Sequence, residues 1–299
     1  MIKLDRKVWN YLILLFLSSY ADQFWVIANG GEEYGPYLVF IGSMMFFPGL
    51  LAIVHLIRSG KGLRYIDWKL GKVKYLVMGL LVPLVITIAG IFVFDKMGLG
   101  ISEAFQFNPN ATVSVNDFPV LFGGTDQSIF HFILNYTAVG MLFSIAVGLL
   151  AVGEEIGWRG MLQKELLANN GLVKSIVFLG LVWGFWHAPI ILNGFNYPEY
   201  PILGALVFFP LSTVGISFLF AYLTLKGASI WPAVLAHGAI NSVMSLLFEM
   251  DFGANKLNAN ILLTAMWILI GFIAYQLLKR DRKSMKVENE PLIPTQKVP

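Results

Sequence analysis

Residues 149–162 read LLAVGEEIGWRGML, so two glutamates and an arginine follow an apolar run. Glu155 and Arg159 are four residues apart, which places them on the same face of a helix in the order that favours an ion pair. Glu154 lies about 100° further round the helix and is therefore free for another partner. Taken alone, the three charges could simply mark the cytoplasmic end of a membrane span, with Arg159 extending to the interface.

The composition indicates an integral membrane protein. The chain has 299 residues, of which 57% are hydrophobic and 13% charged, whereas soluble domains carry about 25% charged residues. One membrane domain is therefore favoured over two soluble domains. The net charge of +3 is unevenly distributed and indicates membrane orientation rather than a nucleic-acid partner. The absence of cysteine excludes disulfides, thiolate catalysis and cysteine-ligated metals.

Apolar runs long enough to cross a bilayer recur about eight times. They predict an all-α polytopic membrane protein, a bundle of about eight transmembrane helices with a polar intramembrane cavity. The predicted spans are Val8–Ile27, Tyr37–Ile57, Tyr75–Phe94, Ile129–Val152, Leu172–Leu192, Ile202–Leu225, Ile230–Phe248 and Ile261–Leu278.

The distribution of basic residues predicts the orientation. Alternate connections are rich in lysine and arginine, and the connections between them are acidic. The basic residues are Lys3, Arg6, Lys7, Arg58, Lys61, Arg64, Lys69, Lys72, Lys74, Arg159, Lys164, Lys174, Lys279 and Arg280; the acidic ones are Glu32, Glu33, Glu103, Asp117, Asp126, Glu199 and Asp251. By the positive-inside rule, both termini are cytoplasmic and the number of spans is even. The membrane is the cell membrane, or the endoplasmic reticulum in a eukaryote.

The chain divides into three predicted regions. Residues 1–128 hold three spans and an outer loop, residues 129–250 hold a core of four transmembrane helices, and residues 251–299 hold the last span and a tail. The polar segment 95–128 lies on the outer side, where we expect it to fold over the helix ends. The proline-containing tail from Lys279 is predicted to be disordered.

Further polar residues interrupt other spans, at a cost of about 2.5 to 3.5 kcal/mol for a charged group at mid-bilayer. His187 ends an apolar run and is followed by Pro189, which disfavours regular helix at that point. His237 and Asn241 are four residues apart and share a helix face. Asp22 and Gln23 lie in the first span and are assigned to helix contacts or an outer vestibule. A single such histidine is typical of an interhelical hydrogen bond, whereas this set together indicates a site.

The depths of these residues agree only if the fourth helix is long. His237 and Asn241 lie about 12 and 18 Å from the cytoplasmic end of their helix, and His187 lies about 20 Å from Lys174. The sequence RGMLQKELLANN, residues 159–170, continues an amphipathic pattern to Asn169, Asn170 and Gly171. A helix that runs to about Ala168 places Glu154 in the same layer as the other three.

A carboxylate and a neutral imidazole can together activate a water molecule for attack on a carbonyl. A second histidine and an asparagine amide can donate hydrogen bonds to the resulting oxyanion. This chemistry predicts an amide hydrolase without a cofactor or metal. Zinc is a disfavoured alternative, because Glu154, His187 and His237 are acceptable ligands but lack a compact zinc motif.

Three blocks resemble motifs of the CAAX protease and bacteriocin-processing family. They are EEIGWR at 154–159, WGFWH at 183–187 and HGAIN at 237–241, similar to the EExxxR, FxxxH and HxxxN patterns of that family. The resemblance covers roughly Ile129 to Glu249 and implies an intramembrane glutamic protease of about eight helices, with its site open towards the cytoplasm. Its substrates would be peptides or prenylated or membrane-associated proteins within the lipid bilayer.

The resemblance also implies a role for each motif residue. Glu154 and His187 would activate the water, and His237 and Asn241 would form the oxyanion hole. Glu155 and Arg159 would support the site. Trp183 departs from the family pattern, which has phenylalanine there, and we expect this exchange to alter the shape of the cavity.

Two other functional classes stay open from sequence alone. A non-catalytic immunity or scaffold protein would use the polar residues to bond its helices together. A proton-coupled transporter would use Glu154 as a proton relay, and Asp22 and Gln23 fit that class slightly better. The sequence carries no signal for an oligomeric state.

Overall fold

The computed structural model describes residues 2–31, 35–248 and 250–284. The predicted tail beyond residue 284 and the acidic Glu32 and Glu33 lie outside the described residues. The first half of the chain forms α1 (Arg6–Ala28), α2 (Tyr37–Met44), α3 (Phe47–Arg58), α4 (Val73–Lys96), β1 (Phe105–Phe107), β2 (Thr112–Val115) and β3 (Asp126–Ser128). The second half forms α5 (Ile129–Glu155), α6 (Gln163–Asn169), α7 (Leu172–Trp186), α8 (Ala188–Leu192), α9 (Pro201–Leu203), α10 (Phe209–Gly227), α11 (Trp231–Ser242), α12 (Ser245–Phe248) and α13 (Lys256–Ser284).

The prediction of an all-α polytopic membrane protein is confirmed. Among the described residues, seven helical spans are long and apolar enough to cross a membrane. They are Arg6–Ala28, Val39–Arg58, Val73–Lys96, Ile129–Asn169, Pro201–Gly227, Trp231–Phe248 and Gly253–Arg280. The orientation of the termini stays a prediction.

The fifth predicted span, Leu172–Leu192, is not among these seven, because it is not one continuous helix. Its helix α7 covers fifteen residues, ends at Trp186 and is followed after His187 by the short α8. Pro189 lies in the first turn of α8 and has no N–H, so it cannot continue the helical hydrogen bonds of α7. The expectation that Pro189 disfavours regular helix here is confirmed.

The second span is also broken, where the sequence predicts one continuous helix. Helix α2 ends at Met44 and α3 begins at Phe47. Pro48 lies in the first turn of α3, and its missing N–H explains the interruption. The kinked segment lies against α5, because a Cβ atom at Gly153 would stand 2.6 Å from the carbonyl oxygen of Met45.

The predicted long fourth helix is confirmed. Helical structure runs without a gap from Ile129 to Asn169, through α5, a π-helical segment at Ile156–Leu162 and α6. Its start is capped by Ser128, whose hydroxyl oxygen accepts the N–H of His131 at 3.3 Å. The π-helical turns follow Glu154 and Glu155 directly, and such turns are frequent at functional sites.

The C-terminal end of this helix is tied to the loop between α3 and α4. Glu165 forms an ion pair with Lys61, and Lys164 forms one with Asp67 at 2.7 Å. The Lys164 ammonium also donates to the carbonyl of Tyr65 at 2.6 Å. Burial, together with the charge of Glu165, raises the pKa of the Tyr65 phenol.

The segment 95–128 contains a small antiparallel sheet in the order β1, β2, β3, which the sequence does not predict. Phe105 of β1 packs edge-on against Phe132 and Tyr136 of α5. The expectation that this segment folds over a helix end is therefore confirmed.

The last helix is longer than predicted. Helix α13 continues to Ser284, so predicted disorder from Lys279 is wrong for residues 279–284. Packing of α5 with α11, and of α10 with α7 and α13, brings the helices that carry the three motifs together.

Candidate functional site

Four charged or titratable side chains of two helices are buried together at the contact of α5 and α11. Glu154, Glu155, Arg159 and His237 are exposed by 2%, 0%, 1% and 3% respectively. Buried charges are tolerated when they are paired and hydrogen-bonded. The sequence predicts that Glu154 and His237 share one layer of the bundle, and this is confirmed.

The ion pair predicted between Glu155 and Arg159 is present. The guanidinium donates to Oε1 of Glu155 at 2.9 Å, and its second amino group donates to the Ser217 hydroxyl of α10 at 3.3 Å. The guanidinium also stacks between two aromatic rings, 4.5 Å from Trp183 and 4.6 Å from Phe220. Arg159 is thus fixed from α5, α7 and α10 at once.

Glu155 also contacts His237. Nδ1 of His237 lies 2.8 Å from Oε1 of Glu155, the oxygen that accepts from Arg159. Since a carboxylate only accepts, the Nδ1 atom carries the proton in this contact. The other ring nitrogen, Nε2, then faces Glu154, with 3.9 Å between it and Oε1.

The carboxylate of Glu154 accepts two indole N–H groups. Trp183 of α7 donates to its Oε2 at 2.8 Å, and Trp158, one turn further along the same helix, donates at 3.0 Å. Oε1 is left facing His237. The two donors hold the carboxylate in one orientation.

Trp183 therefore does more than shape a cavity. Sequence reasoning treated it as an aromatic exchange for phenylalanine, yet its indole binds Glu154 directly. Trp158 was missed altogether, although its position four residues after Glu154 places it on the same helix face. Ser217 and Phe220 were missed too, because nothing in α10 resembles a motif.

His187 lies beside this cluster at the break between α7 and α8. Its ring packs against Trp186 and Phe209, with centroids 4.6 and 4.8 Å away. Nδ1 lies 3.0 Å from the carbonyl oxygen of Trp183, and since that oxygen only accepts, Nδ1 donates. His187 and Glu154 are thus both bonded to Trp183.

Asn241 is not joined to the cluster. It lies one turn beyond His237 on α11, but its side chain is exposed. No hydrogen bond of its amide to another described residue is found. Its role in an oxyanion hole stays a prediction, as does the polar intramembrane cavity.

Gln23 makes helix contacts. The sequence alone did not decide between a helix contact and an outer vestibule for this residue. Its amide bonds to the backbone of Trp186 and Ile190, on either side of His187. The sequence also offered Glu154, His187 and His237 as acceptable zinc ligands. Among the described residues, no three His, Asp or Glu side chains are grouped so as to hold a metal ion.

Two comparisons with known proteins bear on this site. The family model described as "Type II CAAX prenyl endopeptidase Rce1-like" matches residues 133–243. CAAX prenyl protease 2 of Methanococcus maripaludis is 29% identical over 176 residues, which cover 57% of this chain and 55% of the relative. The match thus spans about half the length of that relative.

The matched residues include all three motif blocks, at 154–159, 183–187 and 237–241. The resemblance to the CAAX protease and bacteriocin-processing family is therefore confirmed. Helix α1 lies outside the segment that the family model matches.

Proposed function

We propose that this chain, a membrane protein whose residues 133–243 match the type II CAAX prenyl endopeptidase family, is an intramembrane glutamic endopeptidase. The observation that carries the proposal is the buried Glu154 carboxylate, with two indole donors on one oxygen and His237 opposite the other. At 3.9 Å, Oε1 of Glu154 is too far from the imidazole nitrogen for a hydrogen bond. This oxygen therefore does not serve to bond the two helices together.

In this mechanism, Glu154 and His187 activate a water molecule. Oε1 of Glu154 takes a proton from the water while the water oxygen adds to the carbonyl carbon of the peptide. The C–N bond then breaks, and the proton passes to the leaving nitrogen. The products are a carboxylic acid and an amine, and no metal takes part.

The oxyanion formed by this attack requires donors. His237 and Asn241 supply them, as the family motif implies. Because Nδ1 of His237 is directed at Glu155, Nε2 donates to an oxyanion only when the ring is an imidazolium. The carboxylate of Glu155 stabilises that charged form and itself accepts a hydrogen bond from Arg159.

The substrate is a peptide segment of a prenylated or other membrane-associated protein, cleaved near the cytoplasmic face. Two features support this class. The relative is named a CAAX prenyl protease. Glu154 also precedes the end of its helix at Asn169 by fifteen residues, about 22 Å at 1.5 Å per residue. A substrate must therefore reach into the bundle.

The test is cleavage of a prenylated CAAX peptide by the purified full-length chain in detergent, with and without a chelator. We expect cleavage that the chelator does not change. Loss of cleavage with the chelator, restored by zinc, would instead support zinc hydrolysis. No cleavage of either a prenylated or an unprenylated peptide would refute the proposal and favour a scaffold or a transporter.

Three variants assign the activity to this site. Glu154→Gln, His187→Ala and His237→Ala should each abolish cleavage while the thermal unfolding midpoint shows a folded protein. The matched controls are Glu103→Gln and His131→Ala, which change exposed residues of the outer segment and the start of α5. Full activity in all three site variants would contradict the proposed mechanism.

A further inference from the structure

The break at His187 leaves backbone groups that a continuous helix would pair. Pro189 has no N–H, so it cannot donate to the carbonyl of Phe185 four residues earlier. The next pair along the chain is the carbonyl of Trp186 and the N–H of Ile190. Unpaired polar groups are costly inside a membrane protein, so broken helices need other partners.

Helix α1 supplies those partners. The Tyr20 hydroxyl donates to the carbonyl of Phe185 at 2.6 Å. The amide nitrogen of Gln23 donates to the carbonyl of Trp186 at 2.9 Å, and its carbonyl oxygen accepts from the N–H of Ile190 at 3.2 Å. The carboxamide of Gln23 therefore bridges the two groups that a regular helix would join directly.

This bridge is specific in its geometry. Gln23 is fully buried, and both ends of its carboxamide are used. Tyr20 and Gln23 are three residues apart and so share one face of α1. The two side chains meet consecutive backbone groups, on both sides of the residue that carries the imidazole.

The orientation of His187 depends on the turn that these bonds hold. Its Nδ1 atom donates to the carbonyl of Trp183, which leaves Nε2 as the nitrogen available for proton transfer. A change in the backbone angle at the break would rotate the ring away from the Trp183 carbonyl. The same change would move Nε2 relative to Glu154.

We propose that Gln23, assisted by Tyr20, is a positioning residue that fixes His187 in the geometry needed for hydrolysis. This inference rests on the proposed function. It extends the machinery beyond the segment matched by the family model, to a helix that begins more than one hundred residues earlier in the chain.

The test compares Gln23→Met and Tyr20→Phe with a matched control in the full-length protein. The control is Tyr136→Phe, which also removes a buried hydroxyl group. That hydroxyl donates to the carbonyl of Leu84 at 2.9 Å and joins α5 to α4, away from the break at His187. For Gln23→Met, we expect kcat to fall on the order of 10- to 100-fold, because small misplacements of reacting groups have effects of this size. KM should stay close to the wild-type value, and the pH profile of kcat should shift.

A second readout does not need activity. Amide hydrogen exchange of residues 186–192 should become faster in Gln23→Met and Tyr20→Phe, and stay at the wild-type rate in Tyr136→Phe. Should Gln23→Met not fold, Tyr20→Phe carries the same test with a smaller change. Wild-type kcat, pH profile and exchange in a folded variant would overturn the inference.

The two proposals fail in different ways. If the wild-type chain cleaves no peptide, the proposed function fails, and exchange at residues 186–192 still decides whether Gln23 holds the His187 turn. If the wild type cleaves and Gln23→Met cleaves equally well, only the positioning role is refuted.

Discussion

Nδ1 of His237 lies 2.8 Å from Oε1 of Glu155. The same oxygen accepts a hydrogen bond from Arg159 at 2.9 Å. The two adjacent glutamates therefore have different partners. Glu155 faces the guanidinium and the protonated nitrogen of the imidazole, whereas Glu154 faces the other nitrogen. A carboxylate that orients a histidine in this way fixes its tautomer and stabilises its charged form.

Glu155→Gln should lower kcat sharply although Glu155 does not contact the substrate. The amide keeps the size of the side chain but cannot stabilise an imidazolium. The corresponding change beside the histidine of a serine protease lowers kcat about 10⁴-fold, and we expect roughly 10²- to 10⁴-fold here. The measurement is kcat of the folded fraction. Wild-type kcat in folded Glu155→Gln would refute the role of Glu155.

The two indole donors to Glu154 should each contribute to activity. Trp183→Phe and Trp158→Phe remove one N–H each while keeping an aromatic ring. A hydrogen bond to a charged group contributes about 1.5 to 3 kcal/mol, so each variant should lose about 10-fold or more in kcat. Trp231→Phe is the control, because its indole donates to the carbonyl of Trp68, away from the site, at 2.7 Å. A wild-type kcat in both Trp183→Phe and Trp158→Phe would show that these indoles only fill space.

Gly238→Ala should push α11 away from α5. Gly238 directly follows His237, and a Cβ atom there would overlap the carbonyl oxygen of Ser144. Overpacking of this kind costs about 1 to 3 kcal/mol, and it would also separate His237 from both glutamates. We expect a lower thermal unfolding midpoint and a loss of cleavage. Gly42→Ala is the matched helical control, since no atom lies within 4 Å of its added Cβ.

Periodic signals in the sequence predicted much of the fold. Apolar runs located the spans, and Asn169, Asn170 and Gly171 correctly predicted where the long helix ends. The ion pair of Glu155 and Arg159 followed from their spacing alone, because both residues lie on one helix. These features are local, and local spacing is directly visible in a sequence.

The features that were missed depend on what faces a residue across the bundle. Helical spacing placed Asn241 beside His237, but it could not show that the Asn241 side chain is exposed. The indole of Trp183 finds Glu154 only because α7 packs near α5. Gln23 was visible as a polar residue in an apolar run, yet its partners Trp186 and Ile190 are more than one hundred and sixty residues away.

The buried ion pair provides a final prediction, on stability rather than activity. Arg159→Met leaves the buried carboxylate of Glu155 without its cationic partner. Breaking a buried pair in this way costs about 3 to 5 kcal/mol, whereas replacing both partners with neutral groups is often much less costly. Adding Glu155→Gln to Arg159→Met should therefore recover part of the lost stability.

A double-mutant cycle in detergent, measured by chemical unfolding, gives the coupling between the two residues. The control is Glu199→Gln, which breaks an exposed pair between the loop that joins α8 to α9 and Lys256 of α13, and should leave the unfolding midpoint nearly unchanged. If the losses from Arg159→Met and Glu155→Gln simply add, the pair does not stabilise the fold as a unit. Arg159 would then act mainly through its stacking on Trp183 and Phe220.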